Sequence, residues 1–336
     1  MSQPPKTCEF PLTKGDEEND PRESVALSNE VDSSCTDHLR ARRKREMSQQ
    51  QEIRRLSVAF PASVISDVPH LREKTGKLGA IARACSIFGV DEVLLYADDA
   101  ARDQRADLQL CVEILRFIET PQYLRKRLFR LSSNLKFTGV LPPLHTPPHD
   151  APRRFADCKV GDVRDGVVVS NQRGRLMIDV GVEEQFECDG DLPAGTRATF
   201  RIVRLGKDPR CEVVDRSTIS GYWGYRVSQV KSPLPALIGE GNFDLKIGTS
   251  RYGASIREAW SSIANAMKGA RSILLAFGSP RMGLREILKL EGRSPEDLFD
   301  YFVNTAPDQN VSTVRTEEAL LLSLGVLNLI RLGEPA

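Results

Sequence analysis

Beyond about residue 53 the chain switches between two hydrophobic periods. Residues 56–65 (LSVAFPASVI) form an apolar run of strand length, rich in β-branched residues. Over 70–89 the apolar positions Leu78, Ile81, Ala82, Cys85 and Phe88 recur at helical spacing, and Gly89 predicts the stop. Residues 91–98 (DEVLLYAD) read as a second buried strand. Strand, helix and strand in such close succession predict a βαβ unit, and therefore parallel pairing. Residues 108–129 predict a helix broken near Pro121.

The period changes near residue 142. PPLHTPPHDAPRR (142–154) is a proline-rich connector, and after it come five short strand-like runs separated by Gly, Asn and Asp turns. They are DGVVVSN, RLMIDVG, EQFECDG, TRATFRIVR and RCEVVD, over roughly 155–215. Five such strands predict a small β-barrel of the oligonucleotide-binding kind, with a generic β-insert or a subunit contact as the alternative. Apolar strands then return in SILLAFGS (272–279) and within 295–305. TEEALLLSLGVLNLIRL (316–332) predicts an amphipathic final helix capped by Gly333. The expected fold is thus α/β: a parallel-sheet domain in two parts, 54–145 and 217–336, with a barrel inserted over 150–216. Residues 1–53 are polar and carry no apolar period, which predicts a disordered tail. Its run RARRKRE (40–46) reads as a solvated charge cluster, a nuclear-import segment or an RNA contact.

Composition narrows the function classes. Among 336 residues, 47 Lys and Arg balance 46 Asp and Glu, for a net charge of +1. That excludes nucleic-acid binding by bulk charge, though not a local basic groove. No apolar stretch is long enough for a membrane span, and the N-terminus lacks the order of a secretory signal. Seven cysteines form no CxxC pair, and His145 and His149 lie in a proline-rich stretch that cannot place them on one helix face. No metal site is expected.

GKLGAIARACSIFGVDEVLLY (76–96) resembles the first motif of the knotted SPOUT superfamily of RNA methyltransferases. Gly79, Ala80, Ile81, Arg83, Phe88, Gly89 and Val90 fall in register with it, while Lys77 and Ala84 replace the family's Asn and Thr. VSTVRTEEALLLSL (311–324) resembles the closing motif, with Arg315, Glu317 and Ala319 matching and Glu318 standing for Thr. GYWGYRV, DLKIGTS, the AFGS turn and VNTAPDQNVSTVRTEEA are together similar to the archaeal and eukaryotic subfamily whose methyltransferase domain carries an inserted OB-like barrel. The resemblance covers roughly 54–334. It implies a trefoil-knotted sheet, a homodimer, S-adenosyl-L-methionine as cofactor, and RNA as partner. The implied acceptor is N3 of a uridine in large-subunit rRNA, the implied location the nucleus or nucleolus. The alternative is a non-catalytic RNA-binding or spindle-associated scaffold that retains the fold.

The candidate site residues follow from chemistry and resemblance together. Gly278 after SILLAF lets a cofactor approach the backbone at a strand end, or simply makes the turn. Asn304, Thr305 and the loop carrying Ser312, Thr313 and Val314 are implied cofactor contacts. The bland reading has Thr316 capping the last helix. Arg251 in DLKIGTSRYG is a further contact to cofactor or RNA, or a solvated loop arginine. Arg83 is the one implied catalytic residue, steering phosphate or stabilising a deprotonated base. Its alternative is an ion pair with Glu73 or Asp91. Arg72, Lys74 and Lys77 are expected to make a basic loop for phosphate. Arg173, Arg175, Phe186, Arg201 and Arg204 are expected to grip RNA from the barrel. No residue stands out as a general base.

Overall fold

The computed structural model describes residues 55–332. The tail with its basic run and the expected Gly333 cap lie outside those residues. Six parallel strands form the main sheet in the order β11-β9-β10-β1-β2-β8. They are β1 (Arg55–Pro61), β2 (Glu92–Tyr96), β8 (Arg226–Gln229), β9 (Leu245–Ser255), β10 (Ser272–Ala276) and β11 (Tyr301–Asn304). The expected first helix is α1 (Leu71–Ile87), closed by Gly89 at φ +67°. Pro121 separates α2 (Arg105–Glu119) from α3 (Gln122–Leu128), because proline has no amide to continue the ladder. The remaining helices are α4 (Leu234–Glu240), α5 (Ile256–Gly269), α6 (Leu284–Leu290) and α7 (Thr316–Leu332).

Strand alternation sends side chains to two cores. Val58, Phe60, Val93, Leu95, Ile273 and Leu275 face a large cluster with α1, α2, α5 and α7, through residues such as Ile81, Ile114, Ile263 and Leu324. Ala59, Leu94, Leu274 and Ala276 face the smaller α4 and α6, through Leu234, Ile238, Leu284 and Ile287. Burial on both faces accounts for near-continuous apolar strands.

Five strands form a closed barrel in the order β3-β4-β5-β7-β6. They are β3 (Val163–Gln172), β4 (Arg175–Asp179), β5 (Phe186–Asp189), β6 (Arg197–Arg204) and β7 (Arg210–Val213), and they enclose their own core. The β3–β4 hairpin turns on Arg173 and Gly174, both at positive φ, as a two-residue turn of the twist-compatible kind requires. Phe186 is fully buried inside this barrel, so the expectation that it stacks on RNA is corrected: its strand position points inward. Arg173 and Arg175 are exposed, Arg201 pairs with Glu212 at 3.0 Å, and Arg204 Nε donates to the Asp208 carbonyl.

A buried charge cluster ties the barrel to α2. Asp165 on β3 accepts from Arg216, from Trp223 Nε1 at 2.9 Å and from Thr199 Oγ1 at 2.8 Å. Arg197 on β6 bridges Asp165 and Glu119, the last residue of α2. Burial alone would raise the Asp165 carboxyl, but Arg197 and Arg216 outweigh it and hold it below the usual carboxylate range.

Candidate active site

The carboxyl ends of the parallel strands gather the chemistry, as open α/β sheets do. β9 pairs with β11 through Ile247 and Gly248, then again through Ala254 and Ser255, opposite adjacent residues Phe302 and Val303. Residues 249–253 therefore form a bulge opposite β11, and Arg251 lies within it. Gly253 makes that bulge possible, since a Cβ there would lie 2.6 Å from the Val303 carbonyl carbon. Arg251 donates to the Ser312 carbonyl at 2.8 Å, and its guanidinium lies 4.5 Å from the Tyr252 ring centre. Asn304 Nδ2 donates to the Arg251 carbonyl at 3.1 Å, while Asn304 Oδ1 accepts from the Ala306 amide. Thr305 Oγ1 lies 2.8 Å from the buried Ser323 hydroxyl of α7. Arg251, Asn304 and Ser312 are thus directly joined, and Thr305 anchors the same turn to the last helix. Thr313 and Val314 continue that loop, exposed and half-buried respectively.

Gly278 is required by the turn that follows β10. A Cβ there would sit 2.8 Å from Gly283 Cα and from the Met282 carbonyl oxygen. The strand end is itself pinned: Tyr96 Oη donates to the Phe277 carbonyl at 2.9 Å, and Phe277 stacks on Phe60. Helix α7 starts at Thr316, so Thr316 is its first residue and not its cap. Glu318 accepts from the Arg315 amide at 2.9 Å, which supplies the reciprocal half of a capping box.

Arg83 stands on a different wall. It pairs with neither Glu73 nor Asp91, whose carboxylate instead accepts from the Leu56 amide. Its Nη1 donates to the carbonyls of Pro143 (3.3 Å) and Leu144 (2.7 Å). The proline-rich connector runs along α1 as a strap. Phe137 meets His70, Leu141 and Pro142 cover Gly79, and Leu144 reaches Arg83. A Cβ on Gly79 would lie 2.9 Å from Pro142 Cδ, so this motif glycine serves the close approach of the strap.

The expected basic loop is corrected as well. Arg72, Lys74 and Lys77 lie on α1, and Lys74 pairs with Asp107 at 3.5 Å. Lys77 is buried between Asp67 (2.7 Å) and Glu317 (3.2 Å), which places it out of reach of a phosphate. Sequence reasoning missed this clasp and the Asp165 cluster. Their signal is a charged residue within an apolar element, and only the fold supplies the partner. Among the described residues no three His, Cys, Asp or Glu side chains cluster as metal ligands, and no helix is long and apolar enough to cross a membrane.

A family model described as "Putative RNA methyltransferase" matches residues 55–327. The chain belongs to this RNA methyltransferase family. It is 33% identical over 306 residues to the mouse 28S rRNA (uridine-N(3))-methyltransferase, covering 81% of this chain and 75% of that protein. Against the human protein of the same name the identity is 33% over 304 residues, covering 81% and 77%. Among solved structures, the SpoU methyltransferase AviRb from Streptomyces viridochromogenes, in complex with AdoMet, matches at a TM-score of 0.33. Its identity is 12%, with 82% of this chain and 58% of that chain covered, and it adds nothing to the family assignment. Family membership fits both motif matches, one at the strap-covered face of α1 and one at the loop held by Arg251.

Proposed function

We propose that this methyltransferase uses S-adenosyl-L-methionine to methylate N3 of a uridine in large-subunit rRNA. The observation that carries the reading is the 33% identity, over four-fifths of the chain, to relatives named for that reaction. The donor set fits the cofactor: an arginine, an amide side chain and a serine-bearing loop are joined at the ends of β9 and β11. Arg251, Asn304, Thr305, Ser312, Thr313 and Val314 would hold it, with the tight Gly278 turn shaping the floor. When bound, S-adenosylmethionine supplies an electrophilic methyl group on a sulfonium.

The chain's own task is to orient the base and tolerate its negative charge. Among the described residues no hydrogen bond engages Arg83 Nε or Nη2, so the guanidinium has donors left for a phosphate or a developing uracil anion. N3 is normally paired, so the uridine must be unpaired or flipped to react. The exposed barrel arginines Arg173 and Arg175 would contact flanking backbone. The resemblance further implies a trefoil knot in the C-terminal part, 217–336, a nuclear or nucleolar location, and a homodimer. In support of the dimer, α7 exposes Leu322, Leu329 and Leu332 along one side.

Calorimetric titration with S-adenosylhomocysteine should show saturable binding, and absence of heat at millimolar ligand sinks the proposal. Arg83→Ala should lower methyl transfer to rRNA by roughly 100- to 1,000-fold, the usual cost of a lost charge-stabilising donor, with cofactor affinity little changed. Mapping N3-methyluridine in rRNA from cells lacking the protein tests the acceptor.

A further inference from the structure

A cavity opens beside Arg83. Its volume is about 260 Å³, and it opens between α1, the strap and Tyr222. Arg83, Ser86 and Ile87 line it from the helix, and Leu144, His145 and Thr146 from the strap. Three features mark it as built for a ligand. The Tyr222 hydroxyl is buried near Ser86 without a well-formed hydrogen bond, a cost that a polar group reaching it would remove. His145, one of the lining residues, holds a left-handed backbone at φ +52°, which strains a non-glycine residue, and its exposed ring lies 3.4 Å from the Asp150 carboxylate. Arg83 adds a guanidinium with unengaged donors beside the apolar faces of Ile87 and Leu144.

We propose that this pocket takes one unstacked nucleotide of the RNA substrate. The proposal rests on the RNA methyltransferase reading and gives that reading a second contact point. At about 260 Å³ it lies just below the usual range of small-molecule sites, room for one base and no longer segment. The chemistry suits one too. Apolar side chains and an imidazole ring accept a base, as RNA-binding proteins accept splayed single-stranded bases. Arg83 supplies the charge for the phosphate, and Tyr222 Oη a polar group for a base edge. The pocket is assembled from α1, the strap and the segment that follows the barrel. RNA gripped by the barrel would therefore reach it along one continuous chain segment, 214–222.

The test is photo-cross-linking of the full chain to a single-stranded oligoribonucleotide carrying one 4-thiouridine, with the adduct mapped by mass spectrometry. Adducts should fall in the peptides containing residues 143–147 or Tyr222. Tyr222→Phe should weaken oligonucleotide binding roughly three- to tenfold, the range for one hydrogen bond, without changing S-adenosylhomocysteine affinity. His145→Gly, whose backbone tolerates φ +52° and so keeps the strap in place, should cut the adduct yield at the strap. Adducts confined to the barrel or to the 311–315 loop, or unchanged binding in both variants, would overturn the pocket and leave the enzyme reading standing. Failure of the unaltered chain to retain any oligonucleotide, in a filter assay run alongside, would overturn both.

Discussion

Helix α1 carries three residues of one motif, and each does a different physical job. Gly79 is bare so that Pro142 can approach, Arg83 spends one nitrogen on strap carbonyls, and Lys77 is buried between two carboxylates. The register of Gly79 and Arg83 was legible in the sequence. The role of Lys77 was not, because a lysine near a helix start looks solvated until the position of α7 is known. Lys77 joins α1 to Asp67 in the loop after β1 and to Glu317 at the head of α7, next to the proposed cofactor loop. Lys77→Met keeps the stem's packing but leaves Glu317 without its cation. It should destabilise the protein by about 3 kcal/mol, at the low end for breaking a buried pair because Asp67 is a quarter exposed. Chemical denaturation with the midpoint followed by circular dichroism measures this. A loss below about 1 kcal/mol would show the clasp to be surface-like.

Among the elements, the five barrel strands and the βαβ start announced themselves through period and turn residues. The strap did not: a proline-rich run signals only that helix and ladder are forbidden, and says nothing about where the chain is laid. Its far end is fixed by His149, whose Nδ1 lies 2.6 Å from Thr146 Oγ1 and whose Nε2 lies 3.3 Å from the Ile118 carbonyl. That carbonyl can only accept, so Nε2 carries the proton and Nδ1 accepts from the threonine in the neutral ring. Burial, assisted by Arg125 and Arg197, lowers the His149 pKa below its ordinary value. The folded state therefore takes up its proton at lower pH than the unfolded chain does. The stability this group contributes is complete above about pH 6.5, the unfolded value, and falls as the pH drops through the folded one. Melting temperature should decline below pH 6.5 more steeply in the wild type than in His149→Gln, which has no such titration. Parallel curves would remove His149 from the account.

The barrel's attachment belongs to the same scale. Asp165 sits in DGVVV, an acid near the head of an apolar strand, and the sequence offers it no partner nearby. In the fold it has no exposure at all and collects Arg197, Arg216, Thr199 and Trp223. Asp165→Asn preserves shape and the acceptor for Trp223 but leaves two arginines short of a counter-charge, with only Glu119 remaining. A loss of about 3 kcal/mol is expected. Trp223 reports it directly, through a shift of its emission at denaturant concentrations where the wild-type barrel is still docked.

At the scale of the whole molecule, an even charge balance and a two-part α/β domain were readable from composition and period, whereas the number of apolar faces on α7 was not. The sequence reads as an amphipathic final helix, apolar enough to be a candidate interface, without saying which of its residues stay outside the core. Leu320, Leu324, Leu327 and Ile330 do fill the core, yet Leu322, Leu329 and Leu332 stay about half exposed or more. Seventeen residues at this density of leucine cannot hide all of them on one face. The spacing 322, 325, 329, 332 follows three, four, three, so these leucines and Gly325 make one stripe, and Gly325 lies beside Phe88 at the end of α1. Ile87, half exposed, adjoins that end. An apolar stripe of this length, backed by a second helix, is what an interface between copies needs. Leu322→Glu combined with Leu329→Glu removes no core contact and should leave the melting temperature within a few degrees. It places two carboxylates in the middle of the stripe, where a pairing copy would bury them against leucine. Light scattering at micromolar concentration should then report the mass of one chain for the double variant and of two for the wild type. Two chains in both would mean that the stripe faces something other than a second copy.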